Sequence, residues 1–501
     1  MNIMEKTRKI LLYTFYIVFI LLFGYIVINC LFNNHVNFLD GNIVIILTGI
    51  VIFGIILFFI YKLLSKRSKN SNVKIIAITF IILITIQILF AIWFYVKPSW
   101  DFGSVYYAAV DSAQGKEAIS DVSYFYQYSN NIALAIGLKY VYKIASLFGI
   151  ENFISVGIVS NIICIDIAIL FTYLTAKHIF GQKKALFAFF IMCIMTPIIT
   201  YVPIFYTDTI SMPFIILPIY LDIIAGKTDN KKKKILYYTL AGIFITMGML
   251  LKFTAVIILI ALFITKILFA KRLNDIYSIA YIIVPVIVLF GLWNLMQSKL
   301  FDEAKLDKEQ FPYTHWVMMG LTDKGGYCEE DVEYTFKFDT KQQKQEGNIK
   351  VIKERLKNYI DSNKLIEFYT NKLVYTWGDG TYFAPEKLGR NVQNFGIYHE
   401  FILNSGKYKD YYLYFSQIEH MTIMVLILFS AIVTLINKSI TLDKYKFCFL
   451  LSVFGLILFL LIWETRSRYI INYIPIFILL ASYGIDYIYN RIVKVKFLKE
   501  A

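Results

Sequence analysis

Cysteine and charge are both scarce in this chain, and each scarcity removes a class of protein. Five cysteines occur in 501 residues, at Cys30, Cys164, Cys193, Cys328 and Cys448. Only Cys328 lies well outside an apolar run, so neither a disulfide framework nor metal-ligand spacing is visible. Charged residues make up 17% of the chain, too few to cover a soluble protein of this size. Several catalytic signatures are missing as well. There is no Walker loop, no dinucleotide glycine fingerprint, no H-E-x-x-H and no G-x-S-x-G in a suitable setting. No internal repeat or low-complexity linker interrupts the chain.

What is abundant is apolar sequence. The composition is 58% hydrophobic, the mean hydropathy is +0.61, and runs near the ~20 residues needed to cross a hydrocarbon core recur from end to end. The first run, Ile10 to Phe32, follows Lys6, Arg8 and Lys9. It exceeds the roughly 7–15 residues of a signal-peptide core and lacks a small-residue cleavage site, so it reads as a retained anchor. About twelve crossings are expected, centred in 10–32, 43–63, 75–96, 153–176, 185–204, 209–225, 235–251, 253–270, 277–298, 418–437, 446–463 and 469–489.

The net charge of +15 suggests nucleic acid until the charges are placed. Basic residues fall in alternate short connections, as the positive-inside rule requires. One face carries Lys62, Lys66, Arg67, Lys69 and Lys74; Lys177, Lys183 and Lys184; Lys227 and Lys231 to Lys234; Lys271 and Arg272; Lys438, Lys444 and Lys446; and Arg491, Lys494, Lys496 and Lys499. With that face cytoplasmic, both termini are cytoplasmic. The stretch from Ile235 to Ala270 is the critical step. As one helix it would be about 54 Å long and would invert everything downstream. Two helices meeting near Lys252 remove both conflicts, and Lys252 then sits at or just beneath the outer surface, either snorkelling or meeting an anionic head group.

The fold class that follows is an all-α polytopic membrane protein. Residues 1–74 form an N-terminal two-helix extension, and residues 75–298 a transmembrane core with a first outer loop at 97–152. Residues 299–417 form an extracytoplasmic loop domain, and 418–501 the last transmembrane helices. The first outer loop contains amphipathic stretches, such as Ile132 to Ile144 beside Lys139 and Lys143, that suit the membrane interface. The second contains a helix ended by Asp361-Ser362-Asn363, then another from Lys364 to Trp377, broken by Gly378 and Gly380.

Two outer carboxylates can carry chemistry. Asp101 follows Pro98 among aromatic rings; it either abstracts a proton from a hydroxyl or caps a helix starting beside it. Asp208, in Tyr206-Thr207-Asp208, lies at a tight connection on the same side. The outer cations are Lys252 and the Arg466/Arg468 pair, which suits phosphate oxygens or a pairing with Glu464. His315, in Thr314-His-Trp-Val-Met-Met-Gly320, is either structural or functional. The intramembrane acid Asp166 has no evident cationic partner and is expected to pack against another helix.

Taken in order, Trp100-Asp101-Phe-Gly, Tyr126-Gln-Tyr-Ser-Asn130-Asn131, Tyr206-Thr207-Asp208, Leu251-Lys252-Phe253-Thr254 and Arg466-Ser-Arg468-Tyr469 resemble the GT-C superfamily of membrane glycosyltransferases. Within it they are similar to bacterial relatives of protein O-mannosyltransferases and lipid A aminoarabinose transferases, in a Gram-positive type of branch. The resemblance covers most of the chain and implies a GT-C-like fold in a bacterial plasma membrane. It implies transfer of a sugar, usually with inversion, from a polyprenyl-phosphate donor to a glycan, teichoic acid, lipid or protein acceptor at the outer face. It makes Asp101 and Asp208 the catalytic acids and Lys252, Arg466 and Arg468 the donor-phosphate residues, with Trp100, Tyr106, Tyr107, Tyr126, Asn130 and His315 as substrate-binding candidates. Relatives often place a second acid directly after the first-loop Asp; here Phe102 stands there. Some members use a divalent metal, which the sequence does not assign. A polysaccharide ligase or polymerase, resting on Arg and His of the late outer loop, is the alternative enzyme. A lipid-linked sugar flippase or transporter ranks below it, because the split at Lys252 has no counterpart in a second half.

Overall fold

The computed structural model describes residues 3–33, 41–66, 69–270, 273–436 and 443–500. Arg67, Lys271, Arg272 and Lys438, all assigned to the basic face, lie outside the described residues. Among those described the chain is helical, with one antiparallel bridge between Val96 and Val392. A backbone crossing lipid must satisfy its own polar groups, and an α-helix does so within a single segment.

Ten described helices are long and apolar enough to span a membrane: Glu5–Phe32, Ile43–Ser65, Val73–Trp93, Phe153–Phe180, Thr207–Lys227, Lys231–Leu251, Ile276–Leu300, Lys409–Ile436, Lys444–Ile462 and Ser467–Ile492. The two other expected crossings correspond to shorter apolar helices, Lys184–Ile194 and Phe253–Phe269. The segment expected to cross at 185–204 is therefore not one helix. It stops at Ile194, restarts as Thr196–Thr200 with a proline in its first turn, and then runs irregularly to Tyr206. At the restart the Thr196 amide donates to the buried Glu419 carboxylate at 2.8 Å. The other expected break is where the sequence places it: Lys252 is extended (φ −154°, ψ 113°) between Leu251 and the 3₁₀ turn Phe253–Ala255.

The last span is the hub. In its apolar window 83% of residues are buried, against 11% in Ile43–Ser65, and it packs on Lys409–Ile436, Gln182–Ile194 and Ile43–Ser65. The helix Ile3–Phe32 packs on Lys409–Ile436 and on Leu365–Trp377. Asp166 is not isolated, since Gln87 donates to it at 3.2 Å from a neighbouring helix. Cations at the end of the bundle away from Asp101 are pinned in place. Lys184 pairs with Asp486 at 2.5 Å, Lys444 with Asp222 at 3.5 Å, and Lys227 donates to the His178 carbonyl at 2.7 Å.

The late loop is a small helical cap. The helix Lys341–Asp361 begins with a Thr340/Gln343 capping box, and Leu365–Trp377 ends at Gly378. The cap docks on the connection before the last span through two backbone bonds, Glu464 N to Trp316 O at 3.0 Å and Thr465 N to Gly325 O at 2.8 Å. Gly320 is required there, because a Cβ would lie 2.7 Å from the Ile462 carbonyl oxygen.

Candidate active site

Three helix breaks meet at one end of the bundle. The first is the irregular segment 201–206 leading into Thr207–Ile210, the second is the break at Lys252, and the third is the 3₁₀ stretch Ser467–Tyr473. Irregular backbone at this depth needs internal partners. Asn161 supplies them: its amide donates to the carbonyls of Tyr201, Val202 and Ile204 at 2.8, 3.0 and 3.3 Å, and its oxygen accepts from Thr209 at 2.6 Å. Asn472 bonds Ser211 and Thr254, and the Tyr473 hydroxyl donates to the Thr254 carbonyl at 2.8 Å. These polar ties hold the breaks in register.

At their meeting point Asp208 receives two cations. Lys252 Nζ lies 2.6 Å from one carboxylate oxygen and Arg468 Nη1 lies 3.0 Å from the other. Asp208 is 1% exposed, and the Lys252 and Arg468 side chains are 12% and 14% exposed. So Lys252 neither snorkels to the surface nor stands unpaired. The Tyr469 ring packs under both, 5.3 Å from the Lys252 ammonium and 4.8 Å from the Arg468 guanidinium. Glu464, considered as an arginine partner, instead accepts from the Tyr469 hydroxyl at 2.6 Å.

Asp101 reaches this cluster through side chains. It does not cap a helix: Ser99 occupies the N-cap position of Trp100–Ala113, and Asp101 lies in the first turn. Its carboxylate accepts from the Tyr124 hydroxyl at 3.0 Å, and that hydroxyl accepts from the Asn131 amide at 2.6 Å. The Asn131 oxygen in turn accepts from the Tyr206 hydroxyl at 3.1 Å. The Tyr206 ring lies 5.9 Å from the Arg468 guanidinium. Burial, helped by Tyr206 and the Asp101 charge, raises Tyr124 well above the ordinary tyrosine value, so it stays a donor. Trp100, beside Asp101, is 68% exposed and has φ +54°, a conformation that large residues rarely adopt.

The other expected site residues spread out. Arg466 does not join Arg468 at Asp208; its guanidinium stacks between Phe383 (3.8 Å) and Tyr375 (4.3 Å). Tyr107 is 42% exposed on the same helix as Asp101, and the buried Tyr106 packs on Tyr107, Tyr142 and Phe205. Tyr126 faces the cap, where its hydroxyl accepts from the Asp302 amide at 3.3 Å. Asn130 is exposed and touches Asn131 at 3.4 Å. His315 is buried inside the cap, stacked on Phe311 and bonded to Thr335 at 2.8 Å. Burial pushes it down to about 4, so it is neutral at pH 7. Among the described residues no group of three or more His, Cys, Asp or Glu side chains forms a metal-binding cluster.

In the sequence Gly378 and Gly380 read only as helix breakers and no site residue was expected in 378–390, yet this segment borders the site. Asp379 anchors it: its carboxylate accepts from Ser467 at 2.7 Å, from the Thr381 amide and hydroxyl at 2.9 and 2.6 Å, and from the Phe383 amide at 3.0 Å. Gly380 lies against the Lys409–Ile436 helix, where a Cβ would come 2.4 Å from the Ser416 carbonyl oxygen. Tyr382 and Phe383 both have positive φ, at 54° and 66°. The segment then brings Lys387 within 6.0 Å of the Tyr206 ring and Arg390 within 3.3 Å of the Trp100 ring. The legible signal was an aspartate between two glycines, followed by a Lys and an Arg three residues apart.

A model of a family described as conserved hypothetical integral membrane proteins matches residues 1–489. The chain belongs to that family. It is accordingly a multi-pass integral membrane protein. No curated protein matches it. Among solved structures, the archaeal oligosaccharyltransferase AglB from Archaeoglobus fulgidus, in complex with an inhibitory peptide and a dolichol-phosphate, is similar at 14% identity and a TM-score of 0.45. That similarity covers 86% of this chain, which spans about half (52%) of the AglB chain.

Proposed function

We propose that this protein is a glycosyltransferase that moves a sugar from a polyprenyl-phosphate carrier to a hydroxyl acceptor at the outer face of a bacterial plasma membrane. One observation carries the reading. A carboxylate in a half-open position, Asp101, is wired through Tyr124, Asn131 and Tyr206 to a cation-rich wall built from three helix breaks. The acceptor oxygen attacks the anomeric carbon, the carbon–oxygen bond to phosphate breaks, and the hydroxyl proton passes to Asp101. The electron pair leaves with the lipid phosphate, whose growing negative charge the cationic wall stabilises. Attack opposite the phosphate inverts the anomeric centre.

In this reading Asp208 has a different part from Asp101. Fully buried and shared by Lys252 and Arg468, it positions those cations and does not take a proton from the acceptor. The exposed Trp100 and half-exposed Tyr107 flank Asp101 as stacking surfaces for a sugar.

Asp101→Asn in full-length protein should lower transfer from a polyprenyl-phosphate sugar by about 10²–10⁴-fold, with membrane insertion and melting temperature unchanged. Mass spectrometry of cell-envelope glycans, with and without the variant, names the acceptor. An Asn variant with full transfer would end this assignment. The competing ligase or polymerase reading rests on Arg and His of the late loop, and burial of its histidine, His315, stacked on Phe311 and bonded to Thr335, disfavours it.

A further inference from the structure

A small pocket opens beside Asp101, between the start of the Trp100–Ala113 helix and the late-loop segment. It is lined by Lys97, Ser99, Phe102, Ile204, Lys387 and Arg390. Its lining holds three cations and no carboxylate. Among the described residues these cations form one ion pair, a loose one from Arg390 to Glu386 at 3.7 Å. Arg390 Nε is buried without a hydrogen-bond partner, which in a folded protein asks for an explanation. The rest of the guanidinium is held flat against the Trp100 ring at 3.3 Å, fixing the direction of its remaining donors.

By contrast, Lys252 and Arg468 already share the Asp208 carboxylate. The pocket cations are therefore the better placed to meet an incoming anion. Two backbone bonds, Lys97 N to Asn391 O at 3.3 Å and Gln393 N to Tyr95 O at 3.4 Å, clamp the two walls of the pocket together.

The geometry points to this pocket as the phosphate subsite, with Lys387 and Arg390 as the residues that contact the phosphate oxygens and Asp208, Lys252 and Arg468 as its backing. The inference rests on the proposed donor chemistry and adds residues that no family motif supplied. Supporting it, burial and the nearby Arg468 and Arg390 charges, opposed by Asp208 and Asp101, bring Lys387 down to about 7. Part of the lysine population is then neutral near physiological pH, and a bound phosphate dianion restores its proton. Protonation of Lys387 therefore assists phosphate binding less as pH rises above about 7.

The test uses full-length protein in zwitterionic lipid nanodiscs, briefly acetylated at pH 8, with acetylation of Lys387 read by mass spectrometry and the exposed Lys143 as the reference. The probes are a short-chain polyprenyl phosphate, inorganic phosphate, and phosphatidylglycerol mixed into the disc. The expected result is that polyprenyl phosphate suppresses Lys387 acetylation selectively. Arg390→Gln should then weaken that protection by about tenfold, the worth of one charge-assisted hydrogen bond. Protection by inorganic phosphate as well keeps the pocket and shows that the phosphate group alone suffices. Protection by none of the probes, or by phosphatidylglycerol only, overturns the assignment. So does unchanged protection in Arg390→Gln. The probe comparison on unmodified protein stands even if that variant does not fold. Loss of sugar transfer with protection intact would count against the proposed reaction and leave the pocket standing.

Discussion

Replacing Asp208 with alanine removes the one carboxylate shared by Lys252 at 2.6 Å and Arg468 at 3.0 Å. Both cations are nearly buried, so water cannot take over the role of the lost partner. Breaking a buried pair by deleting one member costs about 3–5 kcal/mol, because a desolvated charge remains. Two cations are stranded here, which places Asp208→Ala toward the upper end. An unfolding entropy of roughly 2.1 cal/mol/K per residue, applied to a chain of 501 residues, gives about 1 kcal/mol/K. The melting temperature should therefore fall by about 5 °C, measured by intrinsic fluorescence of the purified protein in detergent. Lys252→Met in the same background removes one stranded charge and should recover about half of the loss, a non-additivity read directly from a double-mutant cycle. An Asp208→Ala protein melting within about 1 °C of wild type, or strictly additive single variants, would refute the view that this triad joins the three helix breaks.

Further outcomes follow from other parts of the structure. Gly380→Ala drives a Cβ to 2.4 Å from the Ser416 carbonyl oxygen and 2.7 Å from Gln417 Cα. Both are backbone atoms that cannot swing aside, so the 378–390 segment should be displaced at a cost of about 1–3 kcal/mol. Hydrogen exchange in 378–390 should rise while the cap helix Lys341–Asp361 stays protected; unaltered exchange would show that the contact is soft. His315, lowered to about 4 in the fold against an ordinary value of 6.5, binds its proton later than it would in the unfolded chain. Between those values the unfolded state holds more protons, so stability of the cap declines as pH falls from about 6.5 toward 4. Protection factors in residues 311–336, corrected for the intrinsic pH dependence of amide exchange, should fall between pH 7 and pH 5, and His315→Gln should flatten that dependence. The same fall in His315→Gln would assign it to another group.

The fold was legible where hydrophobic periodicity and basic connections speak directly. The break at Lys252 came from length and charge sidedness together, since one 36-residue helix would overrun the bilayer and put the later basic connections on the wrong side. The interruption after Ile194 was missed because its cause is tertiary: Glu419 captures the Thr196 amide and Asn161 the carbonyls beyond it, and neither residue is near in sequence. Asp101, Asp208, Lys252 and Arg468 were found because isolated charges at span ends are conspicuous. Arg466 and His315 were equally conspicuous, but their partners, Phe383 and Thr335, could not be read from local pattern. Tyr124 and Asn131 were hidden among many outer aromatics and amides, and their importance lies only in joining Asp101 to Tyr206. Lys387 and Arg390 sit in a polar loop where cations are ordinary, and only the bridge Val96 to Val392 brings them to Asp101.

The hydroxyl of Ser467, immediately before Arg468, donates to Asp379 at the head of the late-loop segment. One short contact therefore couples the threshold of the central span to the wall that carries Lys387 and Arg390. A late loop that swung freely, as a hinged flap over a reaction chamber, would have to pull the start of the hub helix along with it. On the proposed reading, substrate reaches Asp101 by a route that leaves this wall standing, such as past the exposed Trp100.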